Sequence, residues 1–211
     1  MIKKLTLALT MIMIILLLIV SCAAPTLTPA TTPEPEIPVH YTTYTSEGLF
    51  SISYPPDWVP ATSIMEEVFE EVKEVVKSID PEVQLEGTTM LFIGGIPTEE
   101  GYYPTINILV SPRSIGYWTL DEIVEAESQW NKEHLQKYRE HSLVRTVVGG
   151  REAVILDTED YNPVWDTWRY LQLIMVKDKF VWLVTCSAES EDFKDYEDTF
   201  SDIVRSFRIL Q

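Results

Sequence analysis

Cysteine is all but absent from this 211-residue chain, which has two, Cys22 and Cys186. So few cysteines exclude a disulfide-dense scaffold and paired C-x-x-C zinc sites, so the fold must rest on its apolar core. Histidine is nearly as scarce, limited to His40, His134 and His141. No H-E-x-x-H pair, G-x-S-x-G elbow or G-x-x-x-x-G-K-[ST] loop occurs, so zinc-protease, serine-hydrolase and P-loop chemistry lack their motifs. Basic residues are also few, 16 against 33 acidic, for a formal charge of −17. Such a chain repels phosphate backbones, which argues against nucleic acid as a partner, and charge cannot hold it to an anionic membrane. The excess acid reads as solubility, with hard-cation binding by carboxylates as the alternative. Long apolar runs are missing everywhere but one place.

That place is the start of the chain. Lys3 and Lys4 precede an uncharged apolar run from Leu5 to Val20, and small Ser21 stands directly before Cys22. The order is that of a secretory signal peptide: charged region, apolar region, small-residue cleavage site. Ile19-Val20-Ser21-Cys22 resembles a bacterial lipobox. The resemblance implies removal of residues 1–21 and a diacylglyceryl group on Cys22, with two or more palmitate-like chains giving stable anchoring. Two other readings stay open. Residues 5–20 could remain as a signal anchor, although sixteen residues at about 1.5 Å each fall short of a hydrocarbon core of about 30 Å. An ordinary peptidase could instead cut after Ala24. With Cys22 lipidated, Cys186 is the single thiol of the folded part. It sits in the apolar run Phe180–Cys186 with no electropositive neighbour, so a buried, inert thiol is expected.

Residues 22–43 form the anchor and a Pro/Thr-rich linker, and 44–211 one globular domain. The linker composition favours an extended tether at about 3.1 Å per residue. Leu49–Tyr54 alternates and stops at Pro55-Pro56, as a strand does. Ser63-Ile64-Met65-Glu66 reads as a capping box opening a helix to Ile79, with apolar residues at 65, 68, 69, 72, 75, 76 and 79 on one stripe. Strands follow at 88–93 and 105–110, with a turn-rich stretch between them. A second capping box, Thr119–Glu122, opens a helix to about Arg139. A four-strand meander comes next, at 142–148, 152–157, 168–176 and 180–187. Gly149-Gly150 forms the first turn, and an aromatic loop, 159–166, joins the second strand to the third. The last two strands are apolar on both faces, so they are central and covered on both sides. A final helix, 191–207, carries Phe193, Tyr196, Phe200, Ile203, Val204 and Phe207 on one stripe. The expected fold class is α+β, an antiparallel sheet of six or seven strands between helices.

Two stretches carry a family resemblance. Phe50-Ser51-Ile52-Ser53-Tyr54-Pro55-Pro56-Asp57-Trp58 looks like an F-x-I-x-Y-P-x-x-W opening. The close matches too, with two long strands across a short turn and then Phe193, Tyr196, Phe200 and Ile203–Phe207. Over residues 44–209 the chain resembles the PsbP-like superfamily, named for the extrinsic subunit of photosystem II. The resemblance implies an α/β/α sandwich, with the helix at 64–79 an insertion relative to small members, and it transfers no functional residue.

No catalytic residue, cofactor or metal ligand is assigned. The acidic run from Glu189 to Asp202 lacks the spacing of a calcium loop and reads as a solvated helix face. Among the loop aromatics Tyr102, Tyr103, Tyr117, Trp118, Tyr161, Trp165 and Trp168, the candidate contact residues are Tyr161 and Trp165. The alternative is that these rings plug the ends of the sandwich. The expected function is a non-catalytic, lipid-anchored binding or accessory protein at the extracytoplasmic face of the membrane, with an envelope protein as partner. The alternatives are an envelope hydrolase working through carboxylates, or a metal- or small-ligand-binding protein serving a membrane complex.

Overall fold

A computed structural model describes residues 38–81, 85–99, 101–112, 119–162 and 166–210. The leader, Cys22, Trp165, Tyr117 and Trp118 lie outside the described residues. Ten strands and three helices follow in the order β1 (Thr42–Ser46), β2 (Phe50–Tyr54), β3 (Val59–Pro60), α1 (Met65–Ile79), β4 (Thr89–Thr98), β5 (Gly101–Pro112), α2 (Leu120–His134), β6 (Gln136–Val148), β7 (Arg151–Asn162), β8 (Asp166–Lys177), β9 (Phe180–Glu189), α3 (Phe193–Ser206) and β10 (Arg208–Ile209). A seven-stranded antiparallel sheet has the order β3-β4-β5-β9-β8-β7-β6, and a small second sheet has the order β1-β2-β10. The α+β expectation therefore holds, with the small sheet added to it.

The central sheet is covered on both faces. On one, α1 and α2 pack Val68, Phe69, Val72, Val76 and Ile123 against Met90, Val154, Leu156, Ile174 and Leu183. On the other, α3 and the small sheet bury Phe50, Ile52, Phe193, Phe200 and Phe207 against Ile106, Leu173, Trp182, Val184 and Cys186. The opening motif ties these layers together. Trp58 meets the Phe200 ring edge-on at 6.2 Å, and Tyr54 lies 5.8 Å from Phe92. The Ser206 hydroxyl both accepts from the Ser53 amide (2.8 Å) and donates to its carbonyl (3.1 Å), fastening the end of α3 to β2.

Several local expectations need correction. Ser63 caps nothing. Residues 62–64 form a short 3-10 turn, with the Ile64 amide bonded to Ala61 O, and α1 starts behind Ile64 without a side-chain cap. The Thr119–Glu122 capping box does form, each side chain receiving the other's backbone amide. The helix it opens ends at His134, not Arg139. Lys137 turns the chain with φ +51°, and β6 pairs with β7 from Gln136 onward. Pairing along the sheet thus overrides the helical propensity of Gln-Lys-Tyr-Arg-Glu. The turn-rich stretch between β4 and β5 is mostly strand, bent by an irregularity between Gly95 and Pro97. A Cβ on Gly95 would overlap the Pro104 carbonyl oxygen, so glycine is needed there. The 159–166 loop shrinks in the same way, since β7 runs through Asn162 and β8 starts at Asp166.

Candidate functional site

Tyr161 lies at the end of β7, in register with Gln136 on β6 and Thr167 on β8. It is half-buried, and Lys137 Nζ sits 4.0 Å from its ring centroid, a contact worth about 0.5–1 kcal/mol at an accessible position. The φ of Lys137 is what swings that side chain over the ring. The second contact candidate, Trp165, lies outside the described residues.

Beside Tyr161 runs β6, which among the described residues pairs only with β7 and forms one edge of the large sheet. Its thirteen residues are exposed for most of their length, including Leu143 (39%), Val144 (46%) and Val147 (37%). Cations line it. Arg139 and His141 both lie 3.6 Å from Glu159, and Arg145 pairs with Asp121 at the start of α2. The first half of β6 is irregular, with register shifts up to Ser142, whereas Ser142–Val148 pairs evenly. Charges and bulges blunt an edge against unwanted pairing. The regular half, carrying the apolar residues, is the open part.

The other aromatics mostly plug. Trp168 and Tyr170 are buried, with Tyr103, Leu135 and Tyr138 packed on them. Tyr103 meets Trp168 edge-on at 5.8 Å and donates to Asp192 Oδ2 at 2.7 Å. Burial raises its phenol pKa, with the Asp192 bond adding to the shift. Asp192 aside, the acidic run is largely the wet face of α3. No three His, Cys, Asp or Glu side chains gather into a metal cage among the described residues. The Cys186 thiol is fully buried and its pKa is raised by desolvation, as expected of an inert core thiol. His134 stacks on Trp130, with 4.6 Å between the ring centroids.

The sequence reading missed a polar chamber beneath α2. Besides Ile123, Val124 and Trp130, that helix buries Glu127, Ser128 and Asn131. Facing them, Asn107 on β5, Thr185 on β9 and Gln172 on β8 lie in register across three neighbouring strands, each at most 1% exposed. Register partners share a face, and Gln172 Nε2 donates to Glu127 Oε1 at 3.5 Å, so this polar row looks up at α2. Asn107 and Asn131 (both amide atoms), Gln172 Oε1 and Thr185 Oγ1 have no hydrogen-bond partner. Tyr138 has Asn131 and Ser128 as neighbours without a well-aligned bond. Burial pushes the Glu127 carboxyl up to about 8, Gln172 opposing the shift. Towards the far end of the sheet, a cleft with room for about one water is lined by Glu127, Thr88, Ser111, Leu109 and Val181. A signal was there to be read: Ile106-Asn107-Ile108, Leu171-Gln172-Leu173 and Val184-Thr185-Cys186 each set one polar residue inside an apolar strand.

With this geometry in hand, comparison with known proteins bears on the fold. No protein-family model matches the chain, and no curated protein matches it by sequence. Among solved structures it is similar to the cyanobacterial PsbP of Synechocystis, at 9% identity and a TM-score of 0.53, covering 86% of this chain and 98% of that one. It is also similar to LpqN of Mycobacterium tuberculosis, a protein involved in cell envelope biogenesis, at 13% identity and TM-score 0.47, covering 81% of this chain and 91% of that one. A Pseudomonas aeruginosa protein of unknown function gives 13% identity and TM-score 0.47, covering 79% of this chain and 95% of that one. The class the fold defines is thus a PsbP-like α+β sandwich, a class fixed by architecture alone.

Proposed function

We propose that this protein is a non-catalytic accessory module, held at the extracytoplasmic face of the membrane by lipid on Cys22, that docks an extended segment of an envelope protein along β6. The observation that carries the reading is the open edge Ser142–Val148, whose exposed Leu143, Val144 and Val147 lie on a strand paired on one side only. Such an edge accepts an added strand through its free backbone groups, while alternate side chains supply specificity. The arginines beside it favour a partner strand with apolar and acidic residues, and Tyr161, opposite Gln136 at the start of β6, supplies aromatic contact there, with Trp165 the second proposed contact residue. Among the described residues no helix is long and apolar enough to cross a membrane, which agrees with attachment through the lipid.

Crosslinked co-purification from native membranes tests the reading. The Leu143→Asp/Val147→Asp double variant should lose the crosslinked partner, and Tyr161→Ala/Trp165→Ala should weaken its capture. Phe180→Asp, at a remote exposed position (44%), should change nothing. Retention of the same partner by the double variant would refute the docking surface.

A further inference from the structure

We infer, resting on the docking reading above, that the strand taken up by β6 carries the order apolar–x–acidic–x–apolar, with its acid opposite Arg145 and its apolar residues opposite Leu143 and Val147. The hairpin sets this order. Gly149-Gly150 joins β6 to β7 as a two-residue turn, with Val148 opposite Arg151 and both glycine φ values positive. A turn of that kind is closed by a hydrogen bond between its flanking residues, which makes Val148 and Arg151 a bonded pair. Bonded and non-bonded pairs then alternate along an antiparallel ladder. Val148, Thr146, Val144 and Ser142 therefore direct their backbone groups to β7, while Leu143, Arg145 and Val147 turn theirs outward to the open edge. The same three residues share a face. They lie opposite Leu156, Val154 and Glu152; Val154 and Leu156 belong to the core layer beneath α1 and α2, and Arg145 pairs with Asp121 at the start of α2. An incoming strand thus bonds at Leu143, Arg145 and Val147, and the side chains it sets against them lie on the α2 side.

Each position then asks for one chemistry. Leu143 and Val147 are exposed, so an apolar residue opposite each removes apolar surface from water. Between them stands Arg145, the one charged residue of Ser142–Val148. Its bond to Asp121 is open to solvent, with side chains 44% and 40% accessible. An ion pair so exposed contributes little, and a guanidinium has donors for two carboxylates. An acid across from Arg145 therefore joins the pair without breaking it, whereas a basic residue there meets a like charge. The same rule disfavours a second copy of this chain as the occupant. Antiparallel self-pairing over the whole of Ser142–Val148 sets Arg145 against the Arg145 of the other copy. Val144 and Thr146 face the α3 side, opposite Ile155 and Ala153, and leave the x positions to β-branched residues.

The test follows fluorescence polarisation of three labelled peptides with the full-length chain in detergent, at about 0.15 M NaCl, where charges are screened over about 8 Å. The first core, flanked by serines, is isoleucine-threonine-glutamate-valine-isoleucine. The second has lysine in place of glutamate. The third is a permutation of the first, isoleucine-glutamate-threonine-valine-isoleucine, which moves the acid to the α3 side. The glutamate-centred peptide should bind about fivefold tighter than either of the others. Bulk charge opposes that ranking, since a chain of −17 attracts the lysine peptide, and the permuted peptide has the same charge as the first. The ranking therefore reads the position opposite Arg145. Arg145→Glu should reverse it, with the lysine-centred peptide the tightest, and Leu143→Asp/Val147→Asp should abolish binding of all three. Equal binding of the peptides to wild type, lost in that double variant, would overturn the pattern and keep the docking edge. Binding by none of them, or binding that the double variant retains, would overturn both. A glutamate preference that Arg145→Glu leaves in place would overturn the assignment to Arg145.

Discussion

At the residue scale the interior holds buried carboxylates, and they are handled in two ways. Asp157 and Arg169 are paired. The guanidinium reaches both carboxylate oxygens, Nε–Oδ1 at 2.8 Å and Nη2–Oδ2 at 2.6 Å, and lies 4.3 Å over Phe193. Removing one partner strands the other, so Asp157→Ala should destabilise by about 2 kcal/mol, the range for a hydrogen bond to a charged group, read from urea unfolding. Glu127 is instead held by burial, which raises its pKa above that of an unfolded glutamate. The folded state then binds the proton more tightly than the unfolded state. Its contribution is therefore fully present below about pH 4.5 and is lost as pH rises towards about 8. Asp160, pushed up by burial to about 6, acts in the same direction over a narrower window. Glu127→Gln should abolish its part of this slope and exceed wild type in stability at about pH 8.5, by an amount bounded on the order of 5 kcal/mol. Denaturant midpoints at about pH 5 and 8.5 check it, and parallel slopes for the two proteins would refute it.

At the element scale, what the sequence made legible was whatever repeats or caps. The stripe at 193–207 became α3, and the Thr119–Glu122 box opened α2 as read. Gly149-Gly150 became a turn with both φ values positive, +57° and +74°, the requirement of a type I′ hairpin. That turn yields a clean comparison. A Cβ at Gly150 meets open space, whereas one at Gly149 meets Arg208 Cδ at 2.7 Å. Gly150→Ala should destabilise by about 1–2 kcal/mol through backbone conformation alone, Gly149→Ala by more, and Gly150→Asn least. Chemical denaturation of the three variants orders them. Illegible were the elements with too few residues to show a period, such as β3 and β10 at two residues each. The end of α2 was hidden too, since no glycine or proline marks it. Of the candidate residues, Tyr161 stood out because aromatics are conspicuous in sequence. The Glu127 chamber did not, because its members are scattered from Asn107 to Thr185 and meet only through sheet register. The α3 stripe, by contrast, is local and strong. Phe200 is fully buried and touches Trp58, Phe193 and Tyr196, so Phe200→Ala should cost about 3–5 kcal/mol in the same assay.

At the scale of the whole molecule, the proposed membrane location asks what would hold an acidic body there. Without residues 1–21 the chain loses Lys3 and Lys4 and no acid, leaving 14 basic residues against 33 acidic. Anionic headgroups repel such a body, and salt screens that repulsion over about 10 Å at moderate ionic strength. Electrostatics therefore cannot provide the attachment, and high salt cannot reverse it. A diacylated Cys22 can hold the protein, because each buried methylene contributes about 0.8 kcal/mol and two chains exceed the marginal binding of one. Under the proposed anchoring, the Pro/Thr-rich composition of residues 22–43 suits a spacer between lipid and domain. Wild-type protein should stay with membranes through a wash in about 1 M NaCl and leave them only in detergent. Cys22→Ser should move to the soluble fraction with its melting temperature unchanged. A Cys22→Ser protein that stays membrane-bound after the wash, or mass spectrometry finding the Cys22 sulfur unmodified, would require an attachment other than lipid.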